Sequence, residues 1–351
     1  METKILDVRT LTEETLRRAQ VLCEPDAISM VDDAMAKIRE AADVLRKGGL
    51  VAFPTETVYG LGADAFNADA VARVYEAKGR PSDNPMIVHI ARASDLSLLT
   101  TKLTPDIVRL ADEYWPGPLT MVLEKRAEIP DRTTGGLDTV GVRLPDSPIA
   151  IELIRLAGVP VAAPSANLSG SPSPTKADHV IADLQGKVDI ILAGPDSHVG
   201  IESTVVDMTV EPPQVLRPGI VSADDLAQTL GRTVEIDVPT KGAAPRAPGM
   251  KYRHYAPKAE MIVIEGAPER VRAEISRLKS LNEKIGRNVG IILFEEKKYT
   301  DAAHDFYSML RDMDESGVDL ILAGAIAADD GLGFAVMNRM MKAAGYHIVR
   351  I

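Results

Sequence analysis

Cysteine is all but absent. Cys23 is the only one in 351 residues, which excludes an internal disulfide framework and any multi-cysteine zinc site. It lies in the N-terminal lead-in, away from the polar motifs, and reads as a bystander rather than a nucleophile. Basic charge is in deficit. Forty Lys and Arg stand against 51 Asp and Glu, a formal net charge of −11. That balance argues against a surface that holds nucleic acid through phosphate contacts, while leaving room for a local basic cleft. Long apolar runs are missing too. Stretches such as Leu320 to Ala328 are far too short to span a bilayer. The start, METKILDVRT, carries charge from residue 2 and has no apolar signal region. The expectation is a soluble, cytoplasmic protein with no membrane partner. No GxxxxGK[ST] phosphate loop, HExxH metal pair or nucleophile–base–orienter triad is visible.

What is present suits a globular enzyme. Hydrophobic residues make up 45% and charged residues 26%, enough to bury a real core. The length predicts two domains or one large one. Residues 1–30 read as an extension with a short helix around Glu13 to Leu22. Val31 to Lys47 predicts a helix, with Ala34, Met35, Ile38, Ala41, Ala42 and Leu45 at helical spacing and Gly48-Gly49 closing it. Up to residue 235, short strands and helices mix without strict βαβ alternation, which predicts a mixed sheet with helices packed on it. Residues 236–257 are rich in proline and lack apolar periodicity, so they read as a linker. Its second half carries Lys251, Tyr252, Arg253, His254 and Tyr255, a density of binding groups that predicts it lies on the protein. Residues 258–351 alternate strand and helix, predicting a small α/β domain with parallel strands.

Three stretches carry the chemistry. Phe53 to Gly62, FPTETVYGLG, follows an apolar run with four hydrogen-bonding side chains in five positions. Gly60 and Gly62 are read as letting the chain turn away beneath a ligand. Taken alone, the stretch fits an ordinary strand-to-helix turn equally well. Lys78 and Arg80 sit before Pro81 and Asn84 on a proline-locked loop. A point charge and a planar fork suit different phosphates of one chain, although cations are also favoured at any helix C-terminus. Ser165, Asn167, Ser171 and Ser173 follow a buried strand and offer hydroxyls to phosphate or sugar, or form a plain turn. His89 and Arg143 occupy the less apolar faces of short strands. A buried guanidinium needs an anion, and a substrate carboxylate would supply one. Ser203-Thr204 and Arg217 are weaker candidates of the same kind. Cations and hydroxyls without a covalent nucleophile suit phosphoryl or nucleotidyl transfer, where the protein positions groups and neutralises charge.

PTETVYGLG (54–62), KGRPSDNPM (78–86), APSANLSG (163–170), STVVD (203–207) and LRPG (216–219), in that order, resemble the YrdC family. PGMKYRHYAP in the linker and GLGFAVMNRMMKAA (331–344) resemble its two-domain form, the threonylcarbamoyl-AMP synthases. The resemblance covers about residues 31–351. It implies a YrdC-like α/β domain with a twisted mixed sheet and a concave site at 31–235, a linker over that site at 236–257, and a Rossmann-like α/β domain at 258–351. The implied reaction joins L-threonine, bicarbonate and ATP into L-threonylcarbamoyladenylate and pyrophosphate. That is the first step of N6-threonylcarbamoyladenosine formation at position 37 of tRNAs reading ANN codons.

The resemblance also implies residue roles. Lys78, Arg80, Ser165 and Asn167 form a catalytic tetrad. Thr57, His89, Arg143, the Ala163 backbone and Ser203 contact threonine. Arg80, Asn84, Ser165, Ser173, Arg217, Tyr252 and His254 contact the nucleotide. Mg2+ would ride on the ATP phosphates with few protein ligands, and the product would pass to a tRNA threonylcarbamoyl-transferase complex without stable nucleic-acid binding here. Two rivals are a non-catalytic RNA-binding or ribosome-assembly module, disfavoured by the charge, and a carbamoyl transferase of hydrogenase maturation, whose zinc fingers the lone cysteine excludes.

Overall fold

The structure is a computed structural model, and it describes residues 2–237, 246–248, 254–294, 298–326 and 331–351. Eleven strands form the larger sheet: β1 (Lys4–Asp7), β2 (Val51–Phe53), β3 (Gly60–Asp64), β4 (Ile87–His89), β5 (Leu119–Glu124), β6 (Thr139–Arg143), β7 (Val161–Ala162), β8 (Ile190–Ala193), β9 (Thr204–Asp207), β10 (Gln214–Arg217) and β11 (Glu235–Ile236). Their order is β1-β8-β2-β3-β7-β4-β6-β5-β9-β10-β11. The sheet is mixed, as expected: β4 and β6 run parallel, while β7 is antiparallel to β3 and β4. A second sheet holds β12 (Glu260–Glu265), β13 (Val289–Ile292), β14 (Leu320–Gly324) and β15 (Ile348–Arg350) in the order β13-β14-β12-β15, with every pair parallel.

Strand alternation divides the larger sheet into two faces. Ala52, Val88, Val140 and Val142 join the main core on one face. Val51 and Phe53 point to the other, where the helices Pro25–Arg46 and Pro148–Ala157 cover β1, β8 and β2. Ile87, His89 and Arg143 share that second face further along the sheet, where a cavity replaces the helices. The second sheet has its own apolar cluster, which also takes in Val58 and Ile201 of the larger unit.

Three local expectations need correction. Residues 1–30 are not a detached extension: Lys4–Asp7 pairs in register with Ile190–Ala193 at the sheet edge. The long helix starts at Pro25, not Val31, because proline at the first helical position is pre-organised for a helix. Gly60 and Gly62 do not turn the chain away. They lie in β3, paired antiparallel with β2. A Cβ on Gly62 would sit 2.7 Å from Val161 Cγ1 and 2.8 Å from Phe53 Cε1. These glycines let strands and the Phe53 ring approach closely.

Candidate functional site

The cavity on this face is lined by the loop between β2 and β3, by β4, β6 and β10, by the turn after β7, and by Pro248, His254 and Tyr255 from beyond β11. The first loop is wired by hydroxyls. Arg143 Nη1 donates to Thr57 Oγ1 at 2.9 Å. The Thr55 hydroxyl donates to the Val58 carbonyl at 2.7 Å and lies 2.9 Å from Thr57 Oγ1. With the Thr55 proton committed, the Thr57 proton points to Thr55, and Thr57 offers the cavity an acceptor rather than a donor.

Arg143 has an anionic partner inside the protein, which sequence reasoning had assigned to the substrate alone. Its Nη2 lies 2.5 Å from Glu56 Oε1, with both side chains buried, and its Nε donates to the Gly117 carbonyl at 3.1 Å. A guanidinium has five N–H groups, so hydrogens remain for a ligand. His89 pairs with Arg143 across β4 and β6, and its ring meets Phe53 edge-on. Burial first, then the Arg143 charge, pull its pKa down to about 3, so the imidazole is neutral near pH 7. Its Nδ1 is buried without a hydrogen-bond partner among the described residues.

Lys78 does not line the cavity. The left-handed Gly79 closes its helix, and the side chain runs beneath the turn after β7. Its Nζ donates to the carbonyls of Ser165 and of Asn167, the latter at 2.5 Å. Burial, then Arg80, hold its pKa well below the usual lysine range. Ser165 lines the cavity and donates to Asn167 Oδ1 at 2.5 Å. Both amide hydrogens of Asn167 go to the Leu168 and Ser171 carbonyls, at 2.8 and 2.9 Å. Asn167 is thus a fully used brace. Arg80 lines the cavity, tethered to the Asn84 and Pro85 carbonyls at 3.3 and 2.9 Å, and burial lowers its pKa to about 10. Asn84 contributes a carbonyl tether here, and its side chain is buried behind the wall.

Across the cavity, Arg217 Nε and Nη2 donate to the Ser203 carbonyl at 3.1 and 2.9 Å. Nη2 also reaches Ser203 Oγ at 3.1 Å, which in turn lies 2.8 Å from Thr120 Oγ1. His254 lines the cavity against Tyr255, and burial followed by Arg80 takes its pKa down to about 3. Tyr255 stacks on Tyr307 and holds φ of 65°, a conformation costly for a non-glycine residue. Tyr252 lies outside the described residues.

The cavity therefore gathers Thr57, Arg80, His89, Arg143, Ala163, Ser165, Ser203, Arg217 and His254. Lys78, Asn84, Asn167 and Ser173 stand behind it. Sequence reasoning missed Glu56 and Glu202. Glu202 lines the cavity and accepts from Ser173 Oγ at 2.6 Å and from the Tyr307 hydroxyl at 3.0 and 3.1 Å. Burial alone would raise its pKa, but Arg339 and Arg217 outweigh that and hold it below the carboxylate range. Its position immediately before STVVD was the available signal. No group of three or more His, Cys, Asp or Glu among the described residues could hold a metal ion, and no helix among them is long and apolar enough to cross a membrane.

Two family models match the chain. One, described as telomere recombination and built on Sua5, YciO and YrdC, covers residues 43–219. The other, described as threonylcarbamoyl-AMP synthase, C-terminal domain, covers residues 221–345. Threonylcarbamoyl-AMP synthase of Pyrococcus abyssi is 47% identical over 328 residues, covering 90% of this chain and 96% of the relative. The Bacillus subtilis enzyme of the same name is 44% identical over 332 residues, covering 90% and 94%. The crystal structure of P. abyssi Sua5 complexed with L-threonine superposes with a TM-score of 0.88 at 43% identity, covering 99% of this chain and all of that one.

Proposed function

The chain belongs to the Sua5/YciO/YrdC family in its two-domain form, and from that premise we propose that it is a threonylcarbamoyl-AMP synthase. It joins L-threonine, bicarbonate and ATP into L-threonylcarbamoyladenylate, releasing pyrophosphate. The product serves N6-threonylcarbamoyladenosine formation at position 37 of ANN-reading tRNAs and passes to a separate tRNA threonylcarbamoyl-transferase complex. The observation that carries this reading is one cavity with three guanidinium groups, Arg80, Arg143 and Arg217, in a protein of net charge −11.

The chemistry follows from the residues. The amine of threonine condenses with bicarbonate, losing water, to give a carbamate. A carbamate oxygen then attacks the α-phosphorus, and the bond to the pyrophosphate breaks. Arg143 and the Thr57 acceptor would hold the threonine carboxylate and amine. His89, neutral with a free ring nitrogen, reads a polar hydrogen without competing for the carboxylate. Arg80 and Arg217 would meet charge growing on the triphosphate. Lys78 and Asn167 brace the Ser165 turn rather than touch the nucleotide directly.

The donor set bears on the metal. Glu56 is paired with Arg143, and Glu202 already accepts several hydrogen bonds, so Mg2+ would be held by phosphate oxygens. There it would offset their negative charge. His254 and Tyr255 would act as part of a lid over the nucleotide. The test is pyrophosphate release from ATP with and without L-threonine and bicarbonate. Release that requires both supports the proposal, and release indifferent to threonine sinks it.

A further inference from the structure

A guanidinium from the helix Gly331–Ala343 enters the larger unit and is wholly buried there. Arg339 Nε donates to Glu202 Oε2 at 3.2 Å and Nη2 to the Glu202 carbonyl at 3.4 Å. Nη1 donates to the Pro218 carbonyl and, at 3.3 Å, to that of Ala335. Glu202 immediately precedes Ser203, and Pro218 immediately follows Arg217. One side chain thus holds the entrance to β9 and the exit of β10, the two segments that present Ser203 and Arg217 to the cavity. Their approach is close enough that a Cβ on Gly219 would sit 2.4 Å from Thr204 N. The packing agrees: Ile201 is buried in the second unit's apolar cluster, and a Cβ on Gly200 would meet the Ala303 carbonyl at 2.4 Å.

We infer that Arg339 is a positioning residue for nucleotide binding, fixing Arg217 by clamping the Glu202 and Pro218 segments together. The inference rests on the reading of this cavity as the ATP site. It gives the second unit a defined part in the site, through a residue that does not line the cavity. A role limited to neutralising Glu202 would need only one positive charge. The clamp needs three nitrogens in a plane, reaching two chain segments at once.

The substitution Arg339→Lys separates these roles, because lysine keeps the charge but cannot bridge both segments. Affinity for ATP would be measured by titration calorimetry on the full chain, affinity for L-threonine in parallel, and folding by thermal melting. The clamp predicts ATP affinity down by about tenfold or more, with threonine affinity changed by less than about threefold. An Arg339→Lys protein that binds ATP like the parent overturns it. The second variant, Tyr307→Phe, removes a donor from the same carboxylate and leaves the clamp intact. It should bind ATP within about twofold of the parent. A loss in Tyr307→Phe as large as in Arg339→Lys would make the carboxylate, not the clamp, the determinant. ATP binding needs no turnover, so a parent chain that binds ATP without threonine-dependent pyrophosphate release defeats the functional reading and still decides the clamp. A parent chain that binds no ATP defeats both.

Discussion

Glu56→Gln tests how the buried charge of Arg143 is shared between the protein and its substrate. The pair is almost solvent-free, at 4% exposure for Arg143 and 1% for Glu56, with 2.5 Å between Nη2 and Oε1. Removing one partner of such a pair leaves an uncompensated buried charge, at a cost of about 3–5 kcal/mol. Glutamine keeps a carbonyl oxygen that Arg143 can donate to, and Thr57 and Gly117 stay in place, so the lower end of that range applies. At roughly 2–4 °C per kcal/mol for a unit of 150–250 residues, about 3 kcal/mol is a fall of roughly 6–12 °C in melting temperature. The companion effect is the sharper one. With its internal anion gone, Arg143 gains more from a substrate carboxylate. L-Threonine should therefore raise the melting temperature of the variant by more than it raises that of the parent. Differential scanning fluorimetry with and without saturating threonine reads both effects. A variant that melts within about 2 °C of the parent refutes the burial argument. A threonine-induced rise no larger than the parent's refutes the sharing of Arg143.

Three further outcomes are expected. Gly62→Ala forces a methyl against Val161 and Phe53 and should cost about 1–3 kcal/mol by overpacking; urea denaturation checks it, and an unchanged midpoint would contradict the role given to that glycine. Burial first, then Arg339 and Arg217, pull the Lys342 pKa from 10.5 to about 7. Between those values the unfolded chain holds the proton more often than the folded one, so this lysine's contribution to stability rises with pH and its cost is greatest below about 7. Lys342→Met should therefore gain most over the parent at acid pH, with the two melting curves converging as pH rises; parallel curves would count against it. Deleting residues 245–351 removes Tyr307 and Arg339 and bares Val58 and Ile201, so turnover should collapse, and full activity in the shortened chain would reject both the lid and the clamp.

Elements whose signal is local were legible in the sequence. Apolar spacing at Val71, Val74 and Tyr75 with the stop at Gly79 predicts a helix over Ala68–Lys78, and the alternation of Val140 and Val142 with Thr139, Gly141 and Arg143 predicts a strand over Thr139–Arg143; the structure has both with those bounds. Elements whose signal lies in a partner were not. The strand Lys4–Asp7 is short and mostly exposed, and only its pairing with Ile190–Ala193 makes it a strand. Two glycines hid β3, since glycine lowers strand propensity unless something packs closely on it. The site divides the same way. Thr57, Arg80 and Ser165 stand in loop motifs dense in polar groups, Arg143 and Arg217 end short strands, and all five reach the cavity. Glu56 read as one polar residue among several because its partner Arg143 is 87 residues away. Arg339 drew no reading of its own because Glu202 and Pro218, the partners that define its role, lie 137 and 121 residues away.

How each cation is tethered separates the two sides of the cavity. Arg80 is held by the Asn84 and Pro85 carbonyls, and Arg217 by the Ser203 carbonyl. Carbonyls orient a guanidinium without cancelling its charge. Glu202 is ion-paired with Arg339 and acts on Arg217 only through space. Among the described residues, Arg143 is the one of the three paired directly with a carboxylate, Glu56. One side of the cavity therefore presents two guanidiniums held by carbonyls, and the other presents a guanidinium paired with a carboxylate beside a hydroxyl acceptor. A polyphosphate carrying several negative charges is best matched by the first. An amino acid bearing one carboxylate and one amine is best matched by the second, because full positive charge there would repel the ammonium form. The proposed placement of ATP against Arg80 and Arg217, and of threonine against Arg143 and Thr57, is the one this asymmetry favours.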